Sequence, residues 1–270
     1  MVRWSHASVP REYIPPPAEH SSPSPGSNPC SCPPGVDEDA VGAAAAASLG
    51  RDLTGPELVS LLAVAKASAV ADSAVAGSPV DGVVFGGDSA FEVDGQLYGK
   101  PHDPAVARER WRQMLAAGGG TLWSGHCVID RRRDDRHRDP EPATGRPGGA
   151  VPARTVPPVR SLVTSTAGVP LLGAVAPGGS ALAAAGDRVV AVDSAVLTFA
   201  DDVSVDEIDA YVATGEPLEV AGAFTIDGRA AAYITRIDGA PSAVIGMSLP
   251  VLRSMLLRGF GIAWHDLWAL

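Results

Sequence analysis

Residues 80–101 read VDGVVFGGDSAFEVDGQLYGKP, and the pattern inside them decides the architecture. Val80 to Phe85 is a short, mostly apolar, β-branched run of the kind a buried strand carries. Gly86-Gly87-Asp88 punctuates that run, so the expected strand stops there and places Asp88 at its end. Phe91 to Tyr98 then reads as a hairpin around Asp94-Gly95, a pair suited to the positive φ angles of a two-residue turn. The hairpin delivers Gly99-Lys100-Pro101.

Helical signals flank this stretch. Thr54 and Glu57 form a capping-box pattern with Pro56 in the first turn, which predicts a helix to about Asp72 that carries Lys66. Asp103 and Pro104 open a second helix, through Trp111 to about Ala117. Thr121–Ile129 and Val189–Phe199 read as strands. Ser204 and Glu207 repeat the capping box and open a helix through Tyr211. Short strands are expected near Gly222–Ile226 and Ala231–Ile237, and a last helix from about Ser248 to Arg258. Strands and helices interleave, so the fold class is α/β.

Composition sets the boundaries. The chain has 270 residues, enough for one large domain or two small ones with a sizeable core. A net charge of −10 argues against a nucleic-acid polymer as partner but leaves room for a nucleotide, whose charge a few local cations and a metal can meet. Cys30, Cys32 and Cys127 are an odd, sparse set that gives no disulfide framework and suits a reducing cytosol. The first residues lack the apolar stretch of a signal peptide. Arg160 to Asp187 contains no charge between its ends, yet Pro170, Pro177 and many small residues make it a poor spanning helix. The expectation is a soluble cytoplasmic protein with no membrane partner. Residues 1–35 are Pro- and Ser-rich and read as a disordered or aberrant segment. Residues 36–129 and 188–270 look globular. Residues 130–187 read as a disordered or poorly packed Pro/Gly/Ala/Arg-rich insertion.

Nineteen arginines accompany only two lysines, Lys66 and Lys100. A small ammonium fits close to a phosphate oxygen in a way the planar guanidinium does not. Asp88, beyond which Lys100 follows across a hairpin, can hold a divalent metal or accept a proton from water. Asp37, Glu38 and Asp39 form an acidic cluster that could share a magnesium with nucleotide phosphates. Taken alone that cluster is a solvated helix start, and Asp88 taken alone is a turn residue. Other motifs carry less. Cys30-Ser31-Cys32 lacks a second ligand pair. His126 and Cys127, adjacent on a strand, point to opposite faces, so His126 reads as a structural or supporting residue. There is no nucleophile elbow, P-loop or GxGxxG. The Arg131–Arg138 run alternates with acids and reads as a solvated segment.

Gly87-Asp88-Ser89, Asp94-Gly95 and Gly99-Lys100-Pro101 together resemble the central signature of the Maf (septum-formation) nucleotide pyrophosphatases. Further matches keep the family's order: Val36-Asp37-Glu38, the Lys66 helix, Ser124-Gly125-His126, Glu207-Ile208 through Tyr211, Gly215-Glu216-Pro217, Ala221-Gly222-Ala223-Phe224 and Val244-Ile245-Gly246. Several separated motifs in register are far more specific than any one. The resemblance implies a Maf/ITPase-like mixed twisted sheet flanked by helices, over 36–270 with the insertion at about 130–187. It implies metal-dependent (Mg or Mn) hydrolysis of nucleoside triphosphates to monophosphate and pyrophosphate, with a house-cleaning or cell-division role and a homodimeric assembly. Asp88 matches the proton acceptor, Lys66 and Lys100 the phosphate contacts, and Asp37, with Asp88, the metal ligands. Arg11, in Ser8-Val9-Pro10-Arg11-Glu12, is the nearest match to the family's first phosphate-binding loop. Asp227 stands at a substrate-binding position where the dTTP/UTP-directed branch has Gln, and Phe224 replaces a Tyr. The alternative is a catalytically impaired homologue that binds nucleotide or a division partner without turnover.

Overall fold

The computed structural model of the protein describes residues 2–5, 35–75, 78–132, 163–164, 170–171 and 175–269. Strand β1 (Val2–Ser5) precedes helices α1 (Glu38–Leu49) and α2 (Gly55–Ala71). A small ladder of β2 (Ala74–Val75) and β3 (Ser78–Pro79) leads to β4 (Val83–Val93) and its hairpin partner β5 (Gln96–Tyr98). Helix α3 (Pro104–Ala117) and β6 (Gly119–Asp130) follow, then β7 (Val163–Thr164) and β8 (Pro170–Leu171), which pair with each other. Strands β9 (Ser180–Ala185) and β10 (Arg188–Phe199) form a second hairpin. Helix α4 (Val205–Ala213), strand β11 (Ile234–Asp238) and helices α5 (Pro241–Ile245) and α6 (Leu249–Phe260) complete the order.

The main sheet is mixed and runs β1-β4-β6-β10-β11, with β5 also on β4 and β9 also on β10. Its β1–β4 pair is parallel and its other ladders are antiparallel. One edge of β4 is fully occupied by β6, from Val83 to Glu92. The other edge is shared: β1 takes Val83–Gly86 and β5 takes Phe91–Val93. Between them, residues 87–90 pair with no strand on that side among the described residues, and Asp88 lies in this interruption.

The local signals built most of these elements. Thr54 and Glu57 close a capping box on α2, Ser204 and Glu207 close another on α4, and Asp103 caps α3 through the amides of Ala105 and Val106. Asp94 and Gly95 take φ of 49° and 79° at the β4–β5 turn. Four expectations change. Gly86-Gly87-Asp88 does not end a strand; β4 continues through it to Val93, so Asp88 is mid-strand. Gly86 serves the close approach of a helix rather than a turn. Gly222–Ile226 is not a strand either, because Gly222 and Ala223 adopt φ of 72° and 65° in tight turns, and β11 starts only at Ile234. Ser180–Ala185, expected inside the insertion, is a sheet strand whose small residues pair with Arg188–Asp193. Val2–Ser5, expected inside the aberrant segment, is a parallel edge strand. Cys30, Cys32 and Arg11 lie outside the described residues, as does most of 130–174.

Alternation along the strands distributes the core. Val84 and Ala90 of β4 face α2, with Trp123, Ile129, Val190 and Val192 beside them. Val83 and Phe85 face α6 on the other side, against Leu252, Met255 and Leu256. Phe91 and Val93, further along that face, pack into an aromatic cluster with Trp111 of α3 and Tyr211 of α4. Trp111 donates its indole N–H to the Ala223 carbonyl at 2.9 Å, which anchors the loop beyond α4. No helix among the described residues is long and apolar enough to cross a membrane.

Candidate active site

Two glycines bring α2 onto the sheet. A Cβ on Gly86 would stand 2.4 Å from the Ala63 carbonyl oxygen, and one on Gly125 would stand 2.1 Å from that of Val59. Gly125 is the direct cross-strand partner of Asp88. The helix presents Val59, Ala63, Lys66, Ala67 and Val70 to the sheet at helical spacing, so a lysine occupies a position where an apolar residue would normally lie. Asp88 has the parity of Val84 and Ala90 along β4 and so shares the face that α2 covers. Close approach therefore forces Lys66 and Asp88 together. Lys66 Nζ lies 2.6 Å from Asp88 Oδ1 and 2.7 Å from Glu38 Oε1.

Electrostatics follow from this enclosure. Burial would lower the Lys66 ammonium, but Asp88 and Glu38 outweigh it and hold the group above its ordinary value. Burial pushes the Asp88 carboxyl up to about 6, against the pull of Lys66; Glu38 adds to the rise and Lys100 opposes it. At neutral pH the carboxylate remains the major form, with a proton affinity closer to that of a useful base than a surface aspartate has.

The interruption in the β4 edge opens into a cleft of about 970 Å³. Asp37 to Asp39 at the start of α1 line one wall, Gly87 to Ser89 and Lys66 the floor, and Gly99, Lys100 and His102 another side. Glu219 to Ala221, Phe224, Thr225 and Val244 to Gly246 complete it. The cleft thus gathers four of the residues singled out from sequence: Asp37, Lys66, Asp88 and Lys100. Asp37 is also the N-cap of α1, accepting from the Ala40 amide at 3.0 Å. Asp227 is exposed and does not line the cleft; it accepts the hydroxyl of Thr225, which does. Sequence reasoning placed Glu38 only in a general acidic cluster, whereas the structure seats it on Lys66. The available signal was its first-turn position immediately after an N-capping aspartate.

His126 is wholly buried on the opposite face of the sheet, where its Nε2 accepts the Ser248 amide at 2.9 Å. Ser248 donates its hydroxyl to Asp193, so this buried Ser, His and Asp set is a capping network for α6 rather than a nucleophile. Cys127 is buried and its thiol is pushed up to about 12 by desolvation, which makes it unreactive.

The residues can supply hard oxygen ligands from Asp37, Glu38 and Asp88. However, the described residues hold no preassembled cluster of three or more His, Cys, Asp or Glu side chains for a metal. One or two carboxylates beside a substrate is the usual setting for magnesium, which keeps phosphate oxygens and waters in its shell. The donor chemistry therefore suits such an ion.

Known proteins resemble this chain along most of its length. A curated nucleoside triphosphate pyrophosphatase of Leifsonia xyli subsp. xyli is 42% identical over 243 residues, covering 90% of this chain and 88% of that protein. Proteins of the same name from Nocardia farcinica and Streptomyces coelicolor are 39% and 38% identical, over 86% and 87% of this chain and 83% and 82% of their own lengths. The Maf-like protein family matches residues 26–144 and 170–259, a span that includes the cleft, and the chain belongs to that family.

Proposed function

We propose that this chain is a nucleoside triphosphate pyrophosphatase that cleaves the bridge between the α and β phosphates, releasing a nucleoside monophosphate and pyrophosphate. The observation that carries the reading is Asp88. It is a carboxylate of raised proton affinity in the floor of a cleft, held by one lysine and within the field of a second. The names of the relatives supply the reaction class.

In this reading Asp88 orients a water and takes its proton as the new P–O bond forms and the bridging P–O bond breaks. Lys100, with Lys66 behind it, faces the oxygens on which charge builds. Glu38 holds Lys66 in register with Asp88. Asp37 and Asp88, with Glu38 nearby, are the residues that would hold a divalent cation. Such an ion when bound would neutralise phosphate charge and polarise the phosphoryl oxygen. The resemblance extends the proposal to a cytoplasmic homodimer acting on surplus or non-standard nucleotides, with a role in cell-division arrest.

The test is pyrophosphate release from a panel of nucleoside triphosphates with magnesium or manganese, against an Asp88→Asn control. Pyrophosphate with an equal amount of monophosphate is the expected result. Release of orthophosphate instead would rule out α–β cleavage. Nucleotide binding with no release above the control would leave an impaired, binding-only homologue.

A further inference from the structure

Lys100 stands on a segment held at both ends. The carbonyl of Gly99, just before it, accepts the Nη1–H of Arg110 and the amide of Gly222, the latter at 3.2 Å. Two residues later, the His102 amide donates to the Leu218 carbonyl at 3.0 Å, with His102 itself at a φ of 56°. Only Lys100 and the buried Pro101 lie between these ties.

Arg110 is unusual for its setting. It is 9% exposed on the inner side of α3, and its described contacts are a carbonyl and a ring rather than a carboxylate. Its guanidinium carbon lies 4.9 Å from the centre of the Tyr98 ring. That ring is fixed in turn, because Tyr98 donates its hydroxyl to Gln113 Oε1 at 2.7 Å, one turn along the same helix. Burying a guanidinium without a countercharge is costly. A rigid planar fork stacked on a ring does, however, hold a carbonyl with little remaining freedom.

We infer that Arg110 is a positioning residue for Lys100. Stacked on Tyr98 and bonded to the Gly99 carbonyl, it sets where the Lys100 ammonium enters the cleft. Arg110 does not line the cleft, so its effect passes through the segment it holds. The inference rests on the pyrophosphatase reading only for its kinetic consequence; the structural one stands without turnover.

The experiment has two arms. Hydrogen exchange on the nucleotide-free protein compares wild type with Arg110→Met across residues 99–102, and protection there is expected to fall while that of β6 and β10 is retained. Kinetically, Arg110→Met is expected to lower kcat/KM roughly ten- to a hundredfold, mostly through kcat, because Lys100 acts on charge that develops in the transition state. In a Lys100→Met background the same substitution should cost little more. Arg110→Lys, which keeps a donor and the charge, should recover part of the rate.

Unchanged protection at 99–102 would overturn the inference. So would a full additional loss in the Lys100→Met background, or unfolding of both Arg110 variants, since the arginine would then hold the fold and not one segment. Absence of turnover in wild type would instead count against the pyrophosphatase reading, and the exchange arm would still decide the role of Arg110.

Discussion

Lys66 Nζ bridges Asp88 Oδ1 and Glu38 Oε1 at 2.6 and 2.7 Å, tying two helices to the centre of a strand through one buried ammonium. The lysine side chain is only 2% exposed, so neither water nor salt screens the pair with Asp88 strongly. Lys66→Met should therefore destabilise the fold by about 3–5 kcal/mol, because it leaves the Asp88 carboxylate buried without a partner. Asp88→Asn in the same chain should recover a share of that loss. Denaturant unfolding of the two single variants and the double variant measures the coupling, and strictly additive losses would contradict a direct pair.

Catalysis and stability should separate at Lys100, whereas at Asp88, whose carboxylate also pairs with Lys66, the rate is read per folded molecule. Asp88→Asn keeps the size and most of the packing while removing the proposed base, so kcat should fall about 10²–10⁴-fold. Lys100 lies in a loop at the cleft margin, and Lys100→Met should lower kcat/KM by about 10²-fold with unfolding midpoints close to wild type. Thermal melts run beside pyrophosphate assays check both. A Lys100 variant that lost rate only in proportion to its folded fraction would exclude a role in the reaction.

The glycines under α2 should tolerate no side chain. At Gly86 and Gly125 an added Cβ meets helix backbone at 2.4 and 2.1 Å, and backbone cannot move aside as a flexible side chain would. Alanine at either site should cost about 1–3 kcal/mol and push Lys66 away from Asp88, reducing activity beyond the loss of folded protein. Gly35, where an added Cβ would meet nothing within 4 Å, is the control, and alanine there should stay within about 0.5 kcal/mol of wild type.

Glu57 provides a pH-dependent element remote from the chemistry. Arg51 grips both of its oxygens, at 2.7 and 2.8 Å, and Thr54 adds its amide and hydroxyl. The Arg51 hydrogen bonds, opposed by burial and aided by Thr54, hold the carboxyl down from 4.5 to about 2. A depressed folded-state value contributes stability that is present above about 4.5 and is lost as the pH falls toward 2. Discounted for the exposure of Arg51, the contribution is about 1–3 kcal/mol. Wild type should exceed Glu57→Gln by that amount near neutral pH, and the gap should close on acidification. A gap independent of pH, read from urea midpoints, would falsify the assignment.

Local chemistry made much of the fold legible. The capping boxes at Thr54–Glu57 and Ser204–Glu207, the Asp103-Pro104 start and the Asp94-Gly95 turn each depend on contacts within about four residues, and each formed as its sequence predicts. Two of the failures share one cause. Gly86 and Gly222 are glycines whose purpose depends on partners distant in sequence. The first admits α2 to the sheet, and the second turns the chain against Phe91, whose Cβ would lie 2.7 Å from one on Gly222. Local pattern alone points the wrong way at both, to a turn in the first and a strand in the second.

The same division runs through the site. The residue types alone, two lysines in an arginine-rich chain and aspartates in a recurrent order of motifs, pointed to phosphate chemistry and to Asp37, Lys66, Asp88 and Lys100, which line one cleft, because charge and hydrogen-bonding capacity belong to the side chain itself. Only the tertiary structure decided that Asp88 lies mid-strand in a gap between two edge partners, that Glu38 closes on Lys66, and that Arg110 stands behind Lys100. Proton affinity, exposure and aim depend on what packs around a group, and here that packing comes both from neighbouring elements and from ones more than a hundred residues away along the chain.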